Sequence, residues 1–230
     1  MIKVVLWDID GTLLSFKLAE RAAIGACFEK FGLGKLTDEM LAHYSAINAR
    51  YWKRLELGEL TKQQVLRGRF EEFFAAYGLD TACVDDFNAE YQVRLGETVV
   101  FNDNGKELVE RLRGKVRQYA VTNGTLVAQR GKLKNSGLDL LLDDVFISDV
   151  IGIEKPNKGF FDAVFEKIGQ FAPGEVLIVG DSLTSDIRGG NNAGILCCWY
   201  NPKAEPVPAG FRVDYDIRNL KELPAILGLE

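Results

Sequence analysis

The chain has 230 residues, 47% of them hydrophobic and 27% charged, and carries a net charge of −5. That is apolar enough for a sizeable core in one or two domains. With no Lys/Arg block and no apolar run near the roughly 18 residues of a membrane helix, it excludes a nucleic-acid polymer and a membrane as partners.

A lone histidine, His43, excludes a His-based triad and a His-rich zinc site, and its helical surroundings predict a surface or packing role. Cys27, Cys83, Cys197 and Cys198 form no CxxC pair. No charged leader or cleavage site opens the chain, so the expectation is reduced thiols and a cytoplasmic protein, a monomer or weak homodimer.

Residues 2–7, Ile-Lys-Val-Val-Leu-Trp, read as a strand buried on both faces. Asp8-Ile9-Asp10-Gly11-Thr12-Leu13 follows at its end. Positions i and i+2 of an extended chain point to one side, so Asp8 and Asp10 leave the strand together. Gly11 lets the chain turn away. Two such acids need a shared proton or a cation between them, and a hard divalent ion such as Mg²⁺ suits them.

Residues 17–96 read as helical throughout. Ala22, Ile24, Phe28 and Phe31 form an apolar stripe closed by Gly32 and Gly34. Thr37 caps a helix that starts with Asp38 and Glu39 and stops at Gly58. Thr61 caps the next, through Val65, Phe70 and Phe74 to Gly78, and a further helix spans 84–95. Short connections make these four a small bundle.

From about residue 99 strands alternate with helices. Strands are predicted at 116–121, 145–147, 176–179 and 195–200, with a weak one near 213–217. Helices are predicted at 105–113, 126–136, 158–169 with Asn157 as cap, 185–192 and 219–227. The alternation predicts an α/β, Rossmann-like parallel sheet with helices on both faces. The first strand has no nearby partner and must join the later ones. Residues 1–15 and 99–230 are then a core domain, and 16–98 an inserted all-α bundle over the carboxyl edge of the sheet, where a lid belongs.

Four strand ends carry the polar residues: Asp8 with Asp10, Thr122 with Asn123, Lys155, and Asp181 with Asp186. A parallel sheet brings them to one edge, where ligands bind. Four carboxylates, an ammonium, a hydroxyl and backbone amides suit Mg²⁺-assisted phosphoryl transfer.

These segments resemble the haloacid dehalogenase (HAD) hydrolases over essentially the whole chain. Asp8–Leu13 is similar to the first motif, Thr122 to the second, Lys155 in Glu-Lys-Pro to the third, and Gly180–Asp186 to the fourth. Within the insertion, Tyr44–Asn48, Tyr51-Trp52 and Leu55–Thr61 resemble the cap of bacterial pyrimidine 5′-nucleotidases. Arg69-Phe70, Asn191–Gly194 and Cys198–Asn201 add to that likeness. Leu14-Ser15-Phe16 replaces the acid that many members carry after the first motif, which argues against the sugar-phosphate mutases.

The resemblance implies Asp8 as nucleophile, Asp10 as general acid and base, and Mg²⁺ held by Asp8, the Asp10 carbonyl and Asp181 with Asp186 in support. It implies phosphate bound by Gly11, Thr122, Asn123, Gly124 and Lys155. Phe16, Tyr44, Asn48, Tyr51 and Trp52 are candidates for substrate specificity, with Tyr44, Asn48, Tyr51, Trp52 and Leu55 read as one helical face. The expected substrate is a small phosphomonoester, a pyrimidine nucleoside 5′-monophosphate first, a sugar phosphate or phosphoglycolate second. A phosphomutase or a non-catalytic binding protein is less favoured.

Overall fold

The computed structural model describes residues 1–229. Among them, one six-stranded parallel sheet has the order β3-β2-β1-β4-β5-β6. The strands are β1 (Val4–Trp7), β2 (Arg117–Thr122), β3 (Asp144–Ile147), β4 (Val176–Gly180), β5 (Leu196–Tyr200) and β6 (Tyr215–Ile217). β1 sits in the middle, with Val4 in register with Arg117 on one side and Val176 on the other. Its first partner therefore lies more than 100 residues away, as the insertion requires.

Every residue of β1 is fully buried. Val5 and Trp7 face one core, which α5 (Gly105–Leu112) and α10 (Leu223–Ile226) cover. Val4 and Leu6 face the other, against Phe160, Phe161 and Val164 of α8 (Lys158–Ile168). A strand covered on both faces has no polar side to show, which is why it reads as an unbroken apolar run.

Between β1 and α5 lie four helices: α1 (Phe16–Lys30), α2 (Asp38–Glu56), α3 (Lys62–Ala76) and α4 (Val84–Glu97). The Thr37 side chain caps α2 by accepting from the Met40 N–H at 3.1 Å, and Thr61 and Gln64 cap α3 reciprocally. The four share a core of their own, including Phe28, Tyr44, Phe70, Phe73, Phe87 and Tyr91. Their two connections to the sheet run side by side: the Ser15 N–H donates to the Val100 carbonyl at 2.8 Å, and that of Asn102 to Leu13 at 2.9 Å. Lys62 ties the layer down by reaching Ser148, Asp149 and Glu154.

α6 (Leu126–Ser136) follows β2, a short α7 (Ser148–Ile151) that periodicity had not marked follows β3, and α9 is Arg188–Ala193. The predicted helix at 185–192 is a wide π-type turn, Leu183–Ile187, running into α9. The N–H groups of Asp186 and Ile187 both donate to the Ser182 carbonyl. The widened turn carries Asp186 inward, to 1% exposure. The final helix divides into a 3₁₀ turn, Leu220–Glu222, and α10, with Pro224 at the start of the latter. All four cysteines are free, and no described helix is long and apolar enough to cross a membrane.

Candidate active site

The carboxyl ends of β1, β2 and β4 meet below α1 and α2 in a cleft of about 420 Å³, within the size range of small-molecule sites. At its floor Lys155 is 1% exposed. Its Nζ donates to Asp8 Oδ1 at 2.9 Å, Asp186 Oδ1 at 2.7 Å and the Val121 carbonyl at 2.7 Å. Burial alone would lower the ammonium, but Asp186 and Asp8 outweigh it and hold Lys155 above its usual range. Burial, with Asp186 adding to it against Lys155, pushes Asp8 up to about 7.

Asp8, Asp181 and Asp186 bring carboxylate oxygens within 4.8 Å of one another. Thr12 Oγ1 bridges two of them, 3.2 Å from Asp8 and 3.2 Å from Asp181. Enclosure in the cleft, then Asp8 and Asp186, push Asp181 up, and its open face lets water moderate the effect. Gly11 makes this approach possible. A Cβ there would stand 2.5 Å from Asp181 Oδ2, and its φ of +97° disfavours any side chain.

Thr122 Oγ1 accepts from the Gly124 N–H at 3.1 Å and Thr125 caps α6, so this loop presents main-chain amides at a helix start. At Asn123 the expected phosphate ligand is the backbone amide, and the side chain has a task of its own. Its side chain clasps the Lys155 backbone, donating to the carbonyl at 2.8 Å and accepting from the N–H at 2.9 Å. Its main-chain amide is the part left for an anion.

Asp10 also lines the cleft, and its carboxylate is held by two side chains of α6. Gln129 Nε2 donates to Oδ2 at 2.6 Å, and Lys132 pairs with Oδ1. Neither α6 residue figured among the sequence candidates. Their offsets from Thr122–Gly124 were visible, but nothing local marks a Gln and a Lys on a helix as facing inward.

The upper wall separates the specificity candidates. Phe16, Asn48 and Trp52 line the cleft, and Tyr44 and Tyr51 do not. Tyr44 is fully buried, its ring stacked on Phe70 with centroids 5.1 Å apart. Tyr51 packs over Gly68 on the outer side of α2. The single face holding Tyr44, Asn48, Tyr51, Trp52 and Leu55 is therefore corrected to two neighbouring stripes. The cleft stripe is Ser45, Asn48, Ala49, Trp52 and Glu56, which also obeys i, i+3, i+4, i+7 spacing. Asn48 is already engaged, donating to Glu20 at 2.9 Å and accepting from Arg69 at 2.8 Å. Glu56 accepts from Thr184 and Ser182, and burial raises it against the pull of Thr184 and Lys155. Ser45, Glu20 and Glu56 were not foreseen. Glu56 stands one turn beyond Trp52, and that spacing is the signal that could have found it.

The cleft wall thus carries the carboxyls of Asp8, Asp10, Glu20, Glu56, Asp181 and Asp186 against the ammonium groups of Lys17 and Lys155. An anionic substrate would be repelled there without a further cation. Three converging hard oxygen donors fit a divalent metal, and carboxylates are the donors that Mg²⁺ takes.

The family model of the haloacid dehalogenase-like hydrolases matches residues 2–194. The chain belongs to that family. It is a hydrolase, on a fold that carries the four strand-end motifs in order. It is 37% identical over 230 residues to the HAD-hydrolase YfnB of Bacillus subtilis, covering 99% of this chain and 96% of the relative. It is 36% identical over 203 residues to the pyrimidine 5′-nucleotidase PynA of Streptococcus pneumoniae, covering 87% and 84%. The solved structure of B. subtilis YfnB bound to magnesium superposes with a TM-score of 0.92, at 36% identity and 99% coverage of both chains.

Proposed function

We propose that this HAD hydrolase is a Mg²⁺-dependent phosphomonoesterase that acts on nucleoside 5′-monophosphates, pyrimidine ones first, in the cytoplasm. The observation that carries the reading is the division of labour between Asp8 and Asp10. One carboxylate is buried against Lys155 and the acid cluster, and the other lines the same cleft but is held by α6. Two carboxylates in unlike surroundings are what a nucleophile and a proton carrier require.

In this reading an Asp8 oxygen attacks phosphorus, and the bond to the nucleoside 5′-oxygen breaks. Asp10 gives that oxygen its proton. Water then attacks the aspartyl phosphate, Asp10 takes the water's proton, and Asp8 is released with inorganic phosphate. Lys155 and the amides after Thr122 hold the phosphoryl oxygens as charge builds on them. Asp8, Asp181 and the Asp10 carbonyl would hold Mg²⁺, with Asp186 behind them, and the ion would supply Lewis-acid neutralisation of the phosphate. The layer 16–98 serves as the cap.

The name of PynA supports a nucleotide substrate, and so does a cleft roomier than a phosphate needs, walled by Phe16 and Trp52. A panel of nucleoside monophosphates and sugar phosphates, with Mg²⁺ and with EDTA, tests the reading. Preference for pyrimidine 5′-monophosphates, abolished by EDTA, is the expected result. Metal-dependent turnover of sugar phosphates alone overturns the nucleotide assignment.

Trp52→Ala should raise KM for nucleoside monophosphates about tenfold, the worth of one base–aromatic stack. KM for acetyl phosphate, which has no base, should stay put. Equal KM changes on both would count against stacking.

Asp181→Asn tests the metal site without turnover. It removes one of three crowded carboxyls, so in EDTA the variant should melt no lower than the parent. Added Mg²⁺ should raise the parent's Tm and leave the variant's almost unmoved. A variant that still gains the full Mg²⁺ shift would move the metal away from Asp181.

A further inference from the structure

Both carboxylate oxygens of Asp10 accept from α6. Gln129 takes Oδ2 and Lys132 takes Oδ1, and both side chains are buried, at 0% and 1% exposure. They lie three residues apart on α6 and so on one face of it. Nothing in the first-motif loop supplies these donors.

Two details make this an arrangement built for Asp10. Gly124 leaves the room through which Gln129 passes: a Cβ at Gly124 would stand 2.1 Å from Gln129 Nε2. The Gln129 Oε1 atom is buried with no hydrogen-bond partner among the described residues. Turning the amide over would set Oε1 against the ionised Asp10 carboxylate, two acceptors face to face, so the N–H faces Asp10 in the state that takes the water's proton. The fold therefore leaves a buried acceptor unpaired, which is unfavourable, and keeps an N–H on Asp10. Lys132 Nζ also lies 5.2 Å from the centre of the Phe16 ring, so the same ammonium backs the cleft wall at the start of α1.

We propose that Gln129 and Lys132 are positioning residues for the proton transfers of Asp10, holding its carboxylate at the place where the leaving oxygen departs and the water arrives. The proposal rests on Asp10 being the acid and base. A proton carrier displaced by about 1 Å loses on the order of 10²-fold in rate, so the clamp acts on the chemical steps that move a proton.

The test compares two esters in Gln129→Leu and Lys132→Met. A nucleoside 5′-monophosphate expels an alkoxide, which needs the proton. p-Nitrophenyl phosphate expels a stable phenolate, which does not. For the nucleotide, kcat/KM should fall about 10–100-fold, the range seen when an outer hydrogen-bond partner is removed. For the aryl ester it should fall by no more than a few fold. The aryl ester should also show a burst of nitrophenolate followed by slow turnover, because water attack on the aspartyl phosphate still needs Asp10. Lys132→Gln keeps a donor and should recover part of the nucleotide rate, and it carries the test if Lys132→Met does not fold.

Equal losses on both esters with no burst would overturn the proposal and leave the pair a packing role. Asp10→Asn separates the two levels. If it does not change the ratio of nucleotide to aryl kcat/KM, the acid–base reading of Asp10 fails. If it does and the α6 variants do not, the positioning inference alone fails.

Discussion

Asp8→Asn ends phosphate release, with a loss of about 10⁴-fold or more in kcat, the scale on which enzymes lose a covalent nucleophile. The amide has the shape of the carboxylate and still offers an oxygen to Lys155 Nζ, which stands 2.9 Å from Oδ1 in the parent. It cannot form an acyl phosphate. The cleft also loses one of its crowded acids, so the variant should melt close to the parent in EDTA. Inorganic phosphate assays and thermal melts read the two effects separately. Turnover retained by a folded variant would remove Asp8 from the chemistry.

Lys155→Met damages activity and stability together. Asp8 and Asp186 share this one ammonium, at 2.9 and 2.7 Å. Breaking a buried pair by removing one partner costs about 3–5 kcal/mol, because the charges left behind have lost their solvation and their counter-ion. In a chain of this length that is a fall of roughly 10 °C in Tm. Loss of a preorganised cation at the phosphoryl group should lower kcat by about 10²–10³-fold.

The stability loss has a pH signature. Burial and Asp186 already push Asp8 up to about 7 in the folded parent, above its unfolded value. Without Lys155 it moves further up. A carboxyl raised in the folded state keeps its stability at acid pH and loses it as pH rises through the folded value. The gap between variant and parent should therefore be narrow near pH 5 and wide near pH 8, and Mg²⁺ should close part of it. A gap that narrows as pH rises would mean that Lys155 does not neutralise these acids.

Much of this was legible in the sequence, and for a physical reason. A parallel sheet turns chain order into place, so any polar residue at a strand end arrives at one edge whatever lies between. Asp8, Thr122, Lys155 and Asp181 needed only the alternation of strands and helices to be brought together. The helical layer was legible because Thr37 and Thr61 mark helix starts and glycines mark stops. Helix rotation was not. At 100° per residue, neighbouring stripes of α2 carry similar residues, and only tertiary packing tells which stripe faces the cleft. Tyr44 went to the aromatic core beside Phe70, and Glu56 came into the site instead. The partners of Asp10 were hidden because a lysine buried at 1% exposure looks, in sequence, like any surface lysine. Asp186 was foreseen as a support, but not the wide turn that swings it under Lys155.

In the proposed mechanism the phosphoryl group passes through a covalent bond to Asp8. Wild-type enzyme mixed with a pyrimidine nucleoside 5′-monophosphate and Mg²⁺, quenched in acid within the first turnover, tests it most directly by peptide mass spectrometry. One phosphoryl group should appear on the peptide that contains Asp8, absent from Asp8→Asn and from enzyme in EDTA. Full nucleoside release in that turnover with every peptide unmodified would contradict it, and would assign the hydrolysis to direct attack by water.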